Sequence, residues 1–135
     1  MPQFTFTKAE RLKSKKVIGN LFKQGQSLSS YPLRIVWIPI QPALSSFPVQ
    51  FSLTVPRRSF PKAVHRNRLR RLLREAYRLN KHWLYEQLPD DAPQYGIMLI
   101  YIAKEELIFA QVESAVQRII RKWIKQLTIQ NNSSH

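Results

Sequence analysis

The chain has 135 residues, 44% hydrophobic and 11% aromatic, which is enough apolar material for one packed core and too much for a disordered chain. Lys and Arg number 22 against 8 Asp and Glu, and a formal charge of +14 opposes compaction unless a polyanion neutralises part of it. The absence of cysteine excludes disulfides and thiolate metal sites. No apolar run approaches the roughly 20 residues of a spanning helix, and the polar N-terminus lacks the apolar stretch of a signal peptide, so a cytoplasmic protein with a nucleic-acid partner is expected.

Near the N-terminus Val17, Ile18, Leu21 and Phe22 recur at helical spacing, with Ser14 as N-cap and Gly25 as the stop. Thr7 and Glu10 also fit a capping box, which leaves the start of this first helix open. Leu33–Ile40 is β-branched and aromatic and ends at Pro39 and Pro42, as an outer or terminating strand does. Val49, Phe51, Leu53 and Val55 alternate with Gln50, Ser52 and Thr54, the period of a strand with one buried face. These two strands are expected to pair as a hairpin across residues 42–47.

A long helix is predicted over residues 62–88, a nearly continuous apolar strand over 95–103, and a final helix over 105–127. In that last helix Val112, Val116, Ile119, Ile120, Trp123, Ile124 and Leu127 form one stripe, with Arg118, Arg121, Lys122 and Lys125 opposite. The order is therefore α-β-β-α-β-α: an α+β single domain over residues 1–128, with helices packed on a mixed β-sheet. The polar tail, residues 129–135, is expected to be disordered.

The long helix is the electrostatic centre. Residues 57–81 hold ten Lys or Arg and one acid, Glu75. At 100° per residue Leu69, Leu72, Leu73, Ala76, Leu79 and Trp83 fall on one side, and Arg66, Asn67, Arg70, Arg71, Arg74, Arg78 and Lys81 on the other. Arg66, Arg70 and Arg74, spaced by four, repel one another by about a few tenths of a kcal/mol per pair. A phosphate backbone converts that repulsion into binding energy, and Arg suits forked contact with phosphate oxygens better than Lys. A merely solvated face is the alternative, and the shortage of acids argues against it.

The run Phe60, Ala63, Arg66, Asn67, Arg68, Leu69, Arg70, Arg71, Arg74 resembles the signature of the bacterial ribonuclease P protein family. Its hallmark is an Arg-Asn-Arg box followed by further basic residues at fixed spacing. Arg11-Leu12 in a basic leader and Leu21-Phe22-Lys23 before Gly25 extend the likeness to nearly the whole chain. The resemblance implies a fold similar to the second domain of ribosomal protein uS5, with a left-handed βαβ crossover where the general rule gives a right-handed one. It implies a protein subunit, one copy per catalytic RNA, that assists endonucleolytic removal of the 5′ leader from precursor tRNA, the chemistry being carried by the RNA and its magnesium. Arg57, Arg58, Lys62, Arg66, Asn67, Arg68, Arg70, Arg71 and Arg74 would meet the RNA subunit, and Arg11, Lys13, Phe22 and Trp37 would line a cleft for the single-stranded leader. Phe22 matches an aromatic position of the family, whereas Ile18 stands where an aromatic is often seen. Val36 or Trp37 would supply the strand position.

No constellation for catalysis by the protein is evident. His65 and His82 are the only internal histidines, and their spacing is not that of a zinc site. His65 reads as a neighbour of the box rather than a base. Asp90 and Asp91 could be taken for a magnesium pair, but beside Pro89 and Pro93 they read as turn residues. Three glycines make no phosphate-cradling loop. The competing readings are a ribosomal or RNA-assembly protein of the same fold and a DNA-groove binder. For the latter, no helix-turn-helix pairing precedes the basic helix.

Overall fold

The computed structural model describes residues 6–132. A short 3-10 turn at Lys8–Glu10 precedes helix α1 (Lys15–Gln24), strands β1 (Gln26–Ser30), β2 (Leu33–Ile40) and β3 (Val49–Thr54), helix α2 (Ala63–Gln87), strand β4 (Gln94–Tyr101) and helix α3 (Phe109–Asn132). Ser14 caps α1, its hydroxyl accepting from the Val17 amide at 3.2 Å. The Thr7–Glu10 box also forms, with the Glu10 carboxylate accepting from both the amide and the hydroxyl of Thr7 at 3.0 Å. It belongs to the 3-10 turn. Gly25 is the C-cap of α1, its amide donating to the Leu21 carbonyl, and only glycine fits there, since a Cβ would lie 2.3 Å from that carbonyl oxygen and 2.9 Å from Val36.

The sheet runs in the order β1-β2-β4-β3, with β1 and β2 antiparallel, β2 and β4 antiparallel, and β3 parallel to β4. The expected hairpin between β2 and β3 does not form. Residues 94–99 of β4 are buried on both faces, so β4 takes the interior position and separates them. Gln94 directs the crossing: its side chain accepts from the Leu44 amide at 2.8 Å and donates to the Phe47 carbonyl at 2.7 Å, tying the connection over the end of β4. Nor is β2 an outer strand. The partner covering it is β1, whose polar sequence carries no strand periodicity. Since β1 reaches only to Trp37, Pro39 lies beyond it, where β2 has a neighbour on one side alone.

Alternation along the strands divides the core in two. Leu33, Ile35, Trp37, Phe51, Ile97 and Leu99 face α2 and α3; Val36, Ile40 and Met98 face α1, where Leu12 and Leu21 close over them. On α3 the predicted stripe is buried and Arg118, Arg121, Lys122 and Lys125 are exposed. The helix starts four residues later than expected, because the Tyr101 hydroxyl holds the preceding loop, donating to the Glu105 carbonyl and accepting from the Leu107 amide. It also continues through Asn132, where a disordered tail was expected from residue 129; the rest of that tail, residues 133–135, lies outside the described residues. On α2 the buried face centres on Leu69, Leu73, Ala76, Tyr77 and Leu84, with Leu79 exposed. Tyr77 stacks flat on Phe51 at 3.8 Å.

Candidate nucleic-acid interface

The arginines of α2 divide into two kinds. Arg66 turns inward, 9% exposed, and its guanidinium donates to the carbonyls of Phe60 (2.9 Å) and Pro61 (2.7 Å). It fastens the loop ahead of the helix and is not part of the open basic face. Lys81 also leaves that face: it is buried, with its ammonium 2.7 Å from each oxygen of Glu10. Arg57, Arg58, Lys62, Arg71 and Arg74 are exposed, and among the described residues they form no salt bridge. Arg70 donates to the Asn67 side-chain oxygen at 3.2 Å, which fixes Asn67 on the same face. Arg68 reaches Glu106 at 3.1 Å, where His65 also binds at 3.1 Å. Arg78 pairs with Glu75, and that hydrogen bond holds the Glu75 carboxyl below its ordinary range.

The first turn of α2 carries no acid. Cations at a helix N-terminus oppose the macrodipole, at a cost of about 0.3–1 kcal/mol each, so Lys62, at the N-cap, sits where an anion would be favoured.

A groove of about 420 Å³ runs along the outer edge of β3. Arg11 and Lys13 lie on one side, Arg70 and Arg74 on the other, with Ser52 and Leu53 between them. The N-terminal segment is held there as a short extension of the sheet. Arg11 bridges to Phe51 in parallel register, and the Leu12 amide donates to the Phe51 carbonyl at 2.9 Å. Residues expected at two separate sites, the leader cleft and the RNA-subunit face, thus share one basic groove. The Glu10 anchor behind it was invisible from spacing, because its partners Lys81 and Tyr85 lie 71 and 75 residues away. Burial pushes the Glu10 carboxyl up, but hydrogen bonds from Lys81, Tyr85 and Thr7 outweigh it and leave the carboxyl below its ordinary range. Burial, then Tyr77 and Glu10 nearby, drive the Tyr85 phenol up, so it stays a donor.

The remaining two expected cleft residues go elsewhere. Trp37 is 3% exposed, with its ring 6.1 Å from that of Trp123 on the α3 side of the sheet, and it lines no cleft. Strand alternation explains this: Val36, not Trp37, faces α1. Phe22 is 65% exposed on α1, so the core-packing alternative for it does not hold. Asp90 and Asp91 are exposed in a turn closed by the Ala92 amide on the Pro89 carbonyl. Among the described residues no group of three or more His, Asp or Glu side chains is placed to hold a metal ion, and no helix is long and apolar enough to cross a membrane.

Comparison with known proteins agrees with the box. The family model described as Ribonuclease P matches residues 6–128. The ribonuclease P protein component of Porphyromonas gingivalis (strain W83) is 38% identical over 120 residues, covering 87% of this chain and 85% of that protein. That of Chlorobaculum tepidum is 34% identical over 99 residues, covering 70% and 64%. Among solved structures, the ribonuclease P protein of Thermotoga maritima superposes with a TM-score of 0.64 at 24% identity, over 84% of this chain and 96% of that one. The Staphylococcus aureus protein gives 0.65 at 16%, over 84% and 94%. The latter two likenesses speak for the fold. The chain belongs to the ribonuclease P protein family, the protein component of the RNA-containing endonuclease that matures the 5′ end of tRNA.

Proposed function

We propose that the chain is a non-catalytic subunit, one copy per RNA, that binds the ribonuclease P RNA through α2 and guides precursor tRNA leaders along the β3 groove. The observation that carries this reading is the meeting of Arg11 and Lys13 with Arg70 and Arg74 across the groove. Four cations around one channel can neutralise phosphates on both of its sides, and each contact releases counterions. Arg57, Arg58 and Lys62 ahead of α2, and Arg68 and Arg71 on it, extend the positive field.

Glu10, Glu75 and Glu106 are each engaged by cations of the fold, and Glu113 lies 3.5 Å from the Asn80 amide. The magnesium that phosphodiester hydrolysis by an RNA calls for would be held by phosphates of the RNA subunit. No role for DNA or a membrane is proposed, and the site of action would be the cytoplasm.

The test is reconstitution with the cognate RNA subunit. The protein alone should leave precursor tRNA intact in magnesium buffer, and adding it to the RNA should raise 5′ cleavage at low magnesium. Cleavage by RNA-free protein that a point substitution abolishes would overturn the proposal.

A further inference from the structure

A second basic surface lies away from the β3 groove, on the outer side of α3. After Glu113 the chain contains no Asp or Glu, whereas Arg118, Arg121, Lys122 and Lys125 are all exposed. Two of them reach the end of β1 and the turn that follows it. Lys122 donates to the Ser29 carbonyl at 2.7 Å, and Arg118 contacts the Tyr31 carbonyl at 3.5 Å and the Ser114 hydroxyl at 3.0 Å. The turn is fixed from the other side by the Ile102 amide, 2.9 Å from the Pro32 carbonyl. Tyr31, at the tip, is 61% exposed, although an aromatic ring gains by being covered.

Beside Tyr31 runs an open groove of about 540 Å³ lined also by Glu105, Gln111, Ser114 and Arg118. Glu105 makes it a poor seat for a phosphate. The remaining chemistry is that of a base: a ring face from Tyr31, donors and acceptors from Gln111 and Ser114, an acceptor for an exocyclic amine from Glu105, and Arg118 with Lys122 to receive the flanking phosphates. The loop that lines the groove also touches α2. Glu106, between rim residues Glu105 and Leu107, binds Arg68 and His65 of α2.

We propose that this groove holds one unstacked base of the ribonuclease P RNA, stacked on Tyr31, so that the RNA interface wraps from α2 around the 102–108 loop onto α3. The proposal rests on the RNA subunit lying along α2. Tyr31 supplies a sequence-tolerant stack, and Arg118 and Lys122 supply two phosphate contacts.

The test measures binding of the full-length protein to its transcribed RNA subunit across a salt series. Tyr31→Leu should weaken binding roughly 5- to 150-fold, the equivalent of one lost stack, with an unchanged salt slope. Tyr31→Phe, which keeps the ring, should bind as the parent does and shows that a loss in Tyr31→Leu is not misfolding. Arg118→Gln with Lys122→Gln should flatten the slope of log affinity against log salt by roughly 1.4 to 1.8. Arg70→Ala with Arg74→Ala serves as the reference for α2. Parental binding by Tyr31→Leu and by the Arg118/Lys122 variant, with a loss in the α2 variant, would overturn the groove and leave α2 standing. The opposite pattern would remove α2 from the interface and overturn both the wrapped path and the reading of α2 on which it rests. A defect confined to precursor tRNA, with the RNA subunit bound normally, would put the base in the substrate and overturn this assignment.

Discussion

Lys81 Nζ lies 2.7 Å from both carboxylate oxygens of Glu10, and both side chains are almost completely buried. The pair joins the 3-10 turn to the C-terminal third of α2, and Tyr85 adds a further hydrogen bond to Glu10 at 2.6 Å. A cation has been withdrawn from the basic helix to hold the N-terminal segment, which brings Arg11 and Lys13 opposite Arg70 and Arg74. The interaction costs desolvation and returns it only while intact. Its value here is positional: it fixes the second side of the groove.

Glu10→Gln should therefore lower stability by about 3–5 kcal/mol, the cost of leaving a buried charge without its partner. The pH dependence has a definite sign. The Glu10 carboxyl titrates below its ordinary value of 4.5 in the folded chain, so its contribution is present above that value and is lost as pH falls through the lowered folded pKa. Urea unfolding of parent and variant should differ most near neutrality and converge as the solution becomes strongly acidic. A gap that is independent of pH would show that the ion pair does not couple to folding.

Arg66 and its neighbours should separate stability from binding. Arg66→Ala removes the charged donor to the Phe60 and Pro61 carbonyls and should cost about 1.5–3 kcal/mol in urea denaturation. Arg70→Ala with Arg74→Ala should leave the unfolding midpoint within about 0.5 kcal/mol of the parent while flattening the salt dependence of RNA-subunit binding by roughly 1.4–1.8. Equal destabilisation by both variants would mean that the exposed arginines also hold the fold.

The helices and strands β2, β3 and β4 could be read from the sequence because their periodicity is set by burial, and the Arg-Asn-Arg box because the six arginines of α2 have few acids to balance them. Strand β1 was hidden, since Gln26–Ser30 is polar and exposed on a sheet edge. Strand pairing was hidden for a different reason: periodicity gives a strand's buried face but not its neighbour, and Gln94 decides the neighbour through contacts about 50 residues away. In the site, the helical wheel put Arg66 and Lys81 on the polar side, yet both are buried. Their long side chains bend to inward acceptors that no local pattern records.

Trp37 gives a test of the division between core and cleft. With its ring against Trp123 and 3% exposure, Trp37→Ala should destabilise the domain by about 3–5 kcal/mol. Once the variant is held folded at low temperature, its preference for leader-bearing over mature tRNA in the holoenzyme should match the parent's. A selective loss of that preference would place Trp37 in the leader path after all.

Phe22 makes the complementary case. Its ring is 65% exposed on α1, next to Lys23 in sequence and one turn from the half-buried Ile18, so removing the aromatic character removes little packing. Phe22→Leu keeps much of the apolar bulk and should leave the melting temperature within about 2 °C of the parent. A base stacked on Phe22 would contribute about 1–3 kcal/mol, so the substitution should weaken holoenzyme binding of precursor tRNA by roughly 5- to 150-fold. Mature tRNA has no leader and should bind unchanged. The difference between the two RNAs carries the argument, because a general defect in assembly would weaken both alike. Equal weakening would assign Phe22 to contact with the RNA subunit, and no weakening of either would leave the leader held by Arg11, Lys13 and the β3 groove alone.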